Sequence, residues 1–307
     1  MFTEQRLLFY YAVTPVHMGA GQAVGAIDNP IQREVHTHHP LIAGSGIKGA
    51  IRHFLEHHWK DNEACGLIKP LFGPDTSKAG EHAGALSFTD AALVAFPIRC
   101  AKRAYVYATC PTALARLKRM AQGARVECAW TVPQVPNHHA LLASDAATSV
   151  KESKLMLLLE VFEFDAVAQD PDTAIIAEWL SRYALPPGGE HQYFRDKLHS
   201  DLVVLADADF GHFVRHATVV EPHVRIDNEK GTAAEGGLFY TENLPPESLL
   251  AGLAMASVER TKGGRSAKEM IDSLLGGNGI RNKLVQFGGD ATTGRGLVMI
   301  SQGEGMT

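Results

Sequence analysis

The chain reads T-P-V-H-M-G-A-G at residues 14–21, I-D-N-P-I-Q-R-E at residues 27–34, and P-L-I-A-G-S-G-I-K-G-A-I-R at residues 40–52. An apolar run over Leu7–Val13 precedes the first motif and predicts a buried strand. The third motif opens a helix that we predict over Ser45–Trp59, with Ser45 as its N-cap. The fold therefore begins with a strand, two glycine-containing loops and a helix.

These loops form a candidate anion-binding surface. Gly19 and Gly21 leave backbone amides free of side-chain cover, and a helix N-terminus favours negative charge. Lys48 and Arg52 lie one helical turn apart on the same helix face and add two positive charges. This combination predicts contact with phosphate groups, although a solvated helix start would have the same composition.

One carboxylate, Asp28, lies in the loop between these glycines and the helix. A carboxylate beside phosphates can bind a divalent ion or take the proton of a ribose 2′-hydroxyl. His17 lies at the mouth of the same loop and is a second candidate. On residue type alone, an aspartate before Asn29-Pro30 is a turn residue and His17 is a hydrogen-bonded structural histidine.

A second glycine-rich segment, G-G-D-A-T-T-G-R-G at residues 288–296, lies between strands predicted over Leu284–Phe287 and Gly296–Ile300. It offers another array of exposed amides with one cation, Arg295. It is not a phosphate-binding P-loop, because no lysine follows the glycines at the required spacing. The segment predicts either contact with an RNA backbone or a tight hairpin.

The remaining pattern mixes strands and helices without regular alternation, which favours the α+β class. Runs over Val219–Asp227 and Gly236–Thr241 flank N-E-K-G at residues 228–231 and predict a long, exposed hairpin. A long apolar run predicts one central strand over Lys154–Phe164, and a helix is predicted over Ala267–Leu275.

The three N-terminal motifs together resemble the RAMP proteins, subunits of CRISPR effector complexes, and most closely the backbone subunit of the type III-B (Cmr) kind. That family's pattern is T-P-(apolar)-H-(apolar)-G-x-G, then I-D-x-P-I-x-R-E, then P-x-(apolar)-x-G-S-x-(apolar)-K-G-x-(apolar)-R. The chain departs from it mildly, with Ala43 where proline is common and Gly46 where a second serine is common. The hairpin segment and the second glycine loop also resemble family segments.

The resemblance implies a fold and an activity. The fold would be one RAMP domain over residues 1–307, with a ferredoxin-like (RRM-like) palm, large insertions and a projecting β-hairpin thumb near 219–241. The activity would be metal-dependent endoribonuclease cleavage of target RNA paired to a guide, in several head-to-tail copies with other effector-complex subunits. Sequence choice would come from base pairing.

The resemblance also implies roles for individual residues. Asp28 would be the cleavage residue and would bind Mg²⁺ or Mn²⁺, and His17 would act beside it. The residues implied to contact RNA are Gly19, Gly21, Ser45, Lys48, Arg52, Arg225, Gly289, Thr292, Gly294 and Arg295.

Composition limits the other classes. The 307 residues are 45% hydrophobic and 21% charged, with no apolar run long enough for a membrane span and no basic signal-peptide start, so we expect a cytoplasmic protein without a membrane partner. The four cysteines lack C-x-x-C spacing and are expected to be reduced. The net charge of −5 hides a basic stretch over 99–125 and an acidic stretch over 145–178, which indicate either a nucleic-acid face with head-to-tail packing or two solvated faces.

Two alternatives remain open at this stage. Within the family, the chain would be a non-catalytic scaffold for guide RNA. In another class, His53, Glu56 and His57 fit the H-x-x-E-H pattern of inverted zinc peptidases. Stoichiometric zinc would favour the peptidase, whereas co-purified short RNA would favour the CRISPR subunit.

Overall fold

The central strand of the structure is buried on both faces. A computed structural model describes residues 1–21, 26–74 and 82–303. In it, β1 (Glu4–Ala12) directs Leu8 and Tyr10 into one hydrophobic core and Leu7, Phe9 and Tyr11 into a second. Alternate side chains of a strand point to opposite faces, so an uninterrupted apolar run requires cover on both sides. The buried strand predicted from the sequence is present.

Within the described ranges, fourteen further strands follow β1. They are β2 (Leu41–Ile42), β3 (Leu86–Phe88), β4 (Ala91–Cys100), β5 (Ala104–Thr109), β6 (His139–Leu142), β7 (Thr148–Lys151), β8 (Lys154–Leu159), β9 (Phe162–Val167), β10 (Leu202–Leu205), β11 (Val219–Ile226), β12 (Ala233–Asn243), β13 (Leu249–Ala256), β14 (Lys283–Gln286) and β15 (Leu297–Gln302).

In the part of the chain that the structure describes, seven α-helices lie between these strands. They are α1 (Gly44–His58), α2 (Ile68–Phe72), α3 (Pro111–Gly123), α4 (Pro171–Tyr183), α5 (Gln192–Ser200), α6 (Asp207–His216) and α7 (Ala267–Leu275). The mixture confirms the α+β class. None of the helices in the described ranges is long and apolar enough to cross a membrane.

Strand β1 organises an antiparallel sheet in the order β14-β15-β1-β13-β4. Helix α1 leads from β1 towards β4, and α7 leads from β13 to β14. Both helices pack on one face of this sheet, whereas α3, α4 and α5 cover the other. Neither face of the sheet is therefore open to a ligand.

Strand β4 belongs to two parts of the sheet at once. Its first half pairs with β13, and its second half pairs with β5. From β5 the order continues β10-β6-β9-β8, and β8 returns to β4 through the pair Cys100 and Leu159. The strands thus curl into a barrel-like ring that shares β4 with the β1 sheet.

The predicted hairpin is formed by β11 and β12, which pair only with each other as strands. The side chains near its far end are exposed, including Arg225 and Ile226. A turn at Asp227–Gly231 closes it, where Gly231 has a φ of 65° and its amide donates to Asp227 O over 2.8 Å. The hairpin therefore projects from the body of the protein, as the sequence predicted.

Two sequence predictions were wrong, and one long strand was not predicted. The run Lys154–Phe164 is two strands, β8 and β9, because Glu160 takes a left-handed φ of 52° and turns the chain. Ser45 is not the N-cap of α1: the N-cap is Ala43, and the Asp90 carboxylate accepts from Gly44 N over 2.7 Å. The sequence did not predict β4, which contains Pro97.

The helix over Ala267–Leu275 has the predicted bounds. Its N-cap is Ser266, which forms a reciprocal capping box with Glu269. The cysteines Cys65, Cys100, Cys110 and Cys128 are all free thiols, as predicted.

A polar network lies beneath α5 in the second core. The Tyr11 hydroxyl donates to Glu247 Oε2 and is 2.7 Å from the Tyr107 hydroxyl. Burial raises the pKa of Glu247 to about 7. The folded protein therefore holds a proton on this carboxyl in a pH range where the unfolded chain has released it.

We predict that Glu247→Gln stabilises the protein at pH 8 and has little effect at pH 5. The carboxyl of Glu247 loses its proton near the ordinary pKa of 4.5 in the unfolded chain and at about 7 in the folded protein. Its ionisation therefore opposes folding increasingly from pH 4.5 to pH 7, and fully above pH 7. Thermal melts at both pH values measure the difference. The exposed Glu235→Gln is the control, and an equal shift at both pH values would contradict the prediction.

Candidate functional site

The outer edge of β12, the edge away from β11, holds the two N-terminal loops. Asn29 N donates to Tyr240 O over 3.0 Å, and Glu242 N donates to Asn29 O over 2.9 Å. Further along, Val16 and Leu244 exchange two backbone hydrogen bonds of 2.9 Å each. The hairpin strand therefore aligns both loops by backbone pairing.

Asp28 and His17 are both tied to this edge. Asp28 is exposed, and its Oδ2 accepts from Tyr240 N over 2.8 Å. His17 Nδ1 lies 2.7 Å from Glu242 O. The two anchor residues are two apart on a strand, which corresponds to about 7 Å along it. The structure thus brings the two predicted catalytic residues to neighbouring positions.

The anchoring of His17 also fixes its tautomer. A carbonyl oxygen can only accept, so Nδ1 carries the proton and Nε2 of the neutral ring keeps a lone pair. A Cβ at Gly19 would lie 3.0 Å from Nε2. The absence of a side chain at Gly19 therefore leaves this nitrogen accessible to a reacting group.

The second glycine loop packs against His17 from the other side. Gly289 N donates to His17 O over 2.9 Å. Gly288 has a φ of 74°, and a Cβ there would lie 2.2 Å from His17 O, so only glycine fits. The two glycine loops, far apart in sequence, therefore meet at His17.

A buried ion pair supports the Asp28 loop from below. The side chain of Glu242 is 4% exposed, and its Oε1 lies 2.5 Å from Arg33. The same carboxylate also accepts from Thr218 Oγ1 over 2.7 Å, at Oε1, and from Ile31 N over 3.1 Å, at Oε2. Since Ile31 and Arg33 follow Asp28 directly, this carboxylate fixes the loop to the base of the hairpin.

The next motif residue, Glu34, extends the same support to α3. It accepts from Arg116 over 2.7 Å. Burial alone would raise the pKa of Glu34, but the hydrogen bonds from Thr37 and Arg116 and the charge of Arg116 outweigh it, so the pKa lies below its ordinary value. Both charged residues at the end of the second motif, Arg33 and Glu34, therefore form ion pairs that support the fold.

The second glycine loop is exposed from Gly288 to Gly294, including Gly289, Thr292 and Gly294. Residues Ala291–Thr293 form a 3₁₀ turn, and Gly294 has a φ of 80°. Arg295, which the sequence singled out as a cation, forms an ion pair with Glu221 on β11. This arginine therefore connects the second glycine loop to the hairpin.

The start of α1 is partly occupied by the protein itself. Asp90 takes the first amide of the helix, and Ser45 is exposed one residue later. Lys48 is half-buried and donates to Leu86 O over 3.1 Å. Burial, followed by the charges of Arg52 and Arg260, lowers the pKa of Lys48.

Arg52 is committed to protein contacts. It donates to Glu56 Oε1 over 2.7 Å and to Pro74 O over 3.3 Å. Arg225 is exposed on the hairpin, away from both glycine loops in sequence, and Gly21 is exposed with a φ of 90°. The predicted RNA contacts thus comprise exposed loop positions and helix cations that also serve the fold.

The H-x-x-E-H pattern does not assemble a metal centre. Glu56 accepts from Arg52, and His57 Nδ1 lies 2.9 Å from His53 O. Over the described ranges, the chain contains no group of three His, Cys, Asp or Glu residues that could hold a metal ion. The peptidase alternative therefore has no structural support.

Sequence reasoning missed the supporting residues Arg33, Glu242 and Tyr240. Arg33 and Glu242 lie 209 residues apart, and no local pattern links them. The only signal was the adjacent pair of charges, Arg33 and Glu34, in a motif whose one other charged residue is Asp28.

Comparison with known proteins identifies relatives over nearly the whole chain. The family described as the RAMP superfamily matches residues 9–298. The CRISPR system Cmr endoribonuclease Cmr4 of Pyrococcus furiosus is 33% identical over 296 residues, which cover 96% of this chain and 94% of that protein. The CRISPR system CMR subunit Cmr4 of Saccharolobus solfataricus is 25% identical over 315 residues, covering 97% and 96%.

The fold is similar to that of a solved relative. The crystal structure of oligomeric Cmr4 from Pyrococcus furiosus superposes with a TM-score of 0.74 at 26% identity, and the match covers 99% of each chain.

We predict that Arg33→Met destabilises the protein by about 3 kcal/mol, because it leaves the buried Glu242 carboxylate without its partner. The double variant Arg33→Met, Glu242→Gln should recover most of this loss. Urea unfolding measures both. Arg295→Met, which removes the more exposed pair with Glu221, is the matched control and should cost about 1 kcal/mol or less. Equal losses for the two single variants would contradict the prediction.

Proposed function

Because the chain belongs to the RAMP superfamily, we propose that it is the repeated backbone subunit of a type III-B CRISPR ribonucleoprotein. In this role it binds guide RNA in several head-to-tail copies, together with other effector-complex subunits, and cleaves the paired target RNA at regular intervals. The observation that carries the proposal is the placement of Asp28 and His17 side by side on the outer edge of β12. The relative that is 33% identical is named an endoribonuclease.

We also propose that the β1 sheet is the ferredoxin-like palm of a single RAMP domain. Strands β15, β1, β13 and β4 are antiparallel neighbours in that order, with α1 after the first in sequence and α7 after the third. This order supports the assignment. Because helices cover both faces of the sheet, RNA would bind at the loop end and not on the sheet face that RRM proteins use.

The guide strand would run across the loops that surround His17. The exposed amides of Gly19 and Gly21 would face its phosphates beside the exposed surface of the second glycine loop at Gly289 and Gly294, with Lys48 contributing charge from the start of α1. Since such contacts are independent of base identity, the paired guide would choose the target sequence.

Cleavage would use the 2′-hydroxyl of the target as nucleophile. His17 Nε2, the unprotonated nitrogen of the ring, would take the hydroxyl proton as the 2′-oxygen forms its bond to phosphorus and the bond to the 5′-oxygen breaks, and the departing 5′-oxygen would take a proton from water. Asp28, held at Oδ2 by Tyr240 N, would lie beside the phosphate on the same edge. The backbone pairing that aligns the two loops would thus set the geometry of attack.

We propose that a divalent cation, Mg²⁺ or Mn²⁺, assists. Asp28 would hold it together with RNA phosphate oxygens, and the ion would supply positive charge beside the phosphate. The donor set fits such an ion: Mg²⁺ is commonly bound by one or two carboxylates plus substrate phosphates, and Asp28 is an exposed carboxylate without a cationic partner among the described residues.

The hairpin would act as the thumb that crosses the guide–target duplex. Its base carries the anchors of the active residues, Tyr240 and Glu242, while its far half is exposed. A contact between the duplex and the tip would therefore be transmitted along one strand to the cleavage loop.

We predict that Asp28→Asn lowers single-turnover target cleavage by about 100-fold or more and leaves assembly and target binding unchanged. The amide oxygen can still accept from Tyr240 N, so the loop keeps its shape. The measurement is cleavage of labelled target by the assembled complex with Mg²⁺. Asp290→Asn, an exposed carboxylate of the second glycine loop, is the control. Normal cleavage by Asp28→Asn would leave Asp28 as a turn residue and favour the scaffold alternative.

We further predict that shortening the hairpin tip, residues 228–231, to a two-residue Asn-Gly turn disturbs the spacing of the cuts. The tip is exposed and polar and contributes nothing to either core, so the melting temperature should stay the same. A cleavage ladder and a thermal melt test the two parts. A normal ladder would remove the thumb assignment, and a collapsed melt would place the hairpin in the core.

A further inference from the structure

A loop between β13 and α7 carries cations that the fold does not neutralise. Residues 259–265, here called the basic loop, read E-R-T-K-G-G-R. Arg260 and Lys262 are exposed, and within the described part of the chain neither forms an ion pair; Arg260 lies 5.9 Å from the centre of the Phe2 ring. By contrast, Arg33, Arg116 and Arg295 are each paired with a glutamate.

The shape of the basic loop is fixed by a buried carboxylate. The Glu259 side chain is 1% exposed and accepts from Thr261 Oγ1, from Arg265 N over 3.1 Å and from the Arg265 guanidinium over 3.1 Å. Glu259 N in turn donates to Arg265 O over 2.9 Å. The chain therefore wraps around its own carboxylate, and Arg260 and Lys262 are displayed from a preformed loop.

Two glycines make this wrapping possible. A Cβ at Gly263 would lie 2.4 Å from the Glu259 carboxylate oxygens. Gly264 has a φ of 70°, which residues with a side chain rarely adopt. The glycines are therefore required by the close approach of the loop to Glu259.

The basic loop continues the cationic surface of α1. Ser257 N, two residues before the loop, donates to Ala85 O over 3.0 Å, and Lys48 Nζ donates to the next carbonyl, Leu86 O, over 3.1 Å. The charge of Arg260 is also among the causes that lower the pKa of Lys48. Lys48 and Arg260 therefore lie close enough for their charges to interact, and Lys262 is exposed two residues further along the same loop.

We propose that the basic loop is a further RNA-binding site, which holds phosphates of the guide strand next to those at the start of α1. The proposal rests on the proposed function. Between Glu259 and Arg265 the loop has no apolar side chain, which suits a hydrated polyanion and not the apolar centre of a protein interface.

The first test removes the charges. In the purified full-length chain, Arg260→Ala with Lys262→Ala should weaken binding of a single-stranded RNA of guide length by about 25-fold at 0.1 M salt, and should reduce the log–log salt slope by about 1.4, for two phosphate contacts. Fluorescence anisotropy over a range of salt measures both values. The matched control removes two exposed lysines elsewhere, Lys60→Ala with Lys154→Ala, and should leave both nearly unchanged.

The second test keeps the charges and alters the shape. Gly263→Ala should distort the loop against Glu259 and weaken RNA binding several-fold, whereas Gly277→Ala, an exposed glycine with open space around it, should not. Thermal melts of both variants check that each is folded. Because the two variants carry the same net charge, a difference in affinity reports on the geometry of the loop.

The outcomes separate this proposal from the proposed function. If the unaltered chain binds guide-length RNA and the Arg260, Lys262 variant binds it with the same affinity and slope, the basic loop is not an RNA site and the proposed function stands. Equal weakening by the Lys60, Lys154 control would also overturn the loop assignment. Failure of the unaltered chain to bind RNA would overturn both.

Discussion

The outer edge of β12 is the constraint on which the candidate site depends. Backbone groups at Tyr240, Glu242 and Leu244 pair with the Asp28 loop and with the loop that contains His17. A strand edge offers hydrogen-bonding groups at fixed spacing, so two irregular loops acquire a defined separation without regular structure of their own. The same edge is continuous with the projecting hairpin, which links the position of the hairpin to that of both side chains.

The buried Glu242 carboxylate makes this arrangement rigid. The free-energy cost of burying its charge explains why hydrogen-bond donors surround it. An isolated charge in the core is strongly unfavourable, whereas one that receives hydrogen bonds from Arg33, Thr218 and Ile31 is tolerated and rigidly placed. Two further arginines, Arg116 and Arg295, likewise join different elements by ion pairs with glutamates. A sequence with a net charge of −5 can still present cations to solvent, as Arg260 and Lys262 do on the basic loop.

The sheet limits where a ligand could bind. Strand β4 is shared by the β1 sheet and the barrel-like ring, and helices cover both faces of the β1 sheet. No sheet face is left for a ligand. The N-terminal loops, the second glycine loop, the start of α1 and the basic loop therefore carry the surface at which we propose that RNA binds.

Several elements of the fold could be predicted from the sequence alone, because short local patterns determine them. The strand at Leu7, the hairpin and the Ala267–Leu275 helix follow from apolar periodicity, turn residues and capping, and the motifs that contain His17 and Asp28 indicated the family. The turn at Glu160, the cap that Asp90 supplies to α1, and the pairing of Arg33 with Glu242 were not predictable. The Asp90 cap and the Arg33–Glu242 pair join groups that are distant in sequence, and the turn at Glu160 is set by tertiary packing. Residue types determined which side chains were available for chemistry, and only the folded chain decided which cations remained free and which carboxylates were buried, because desolvation and pairing depend on neighbours that a linear pattern does not contain.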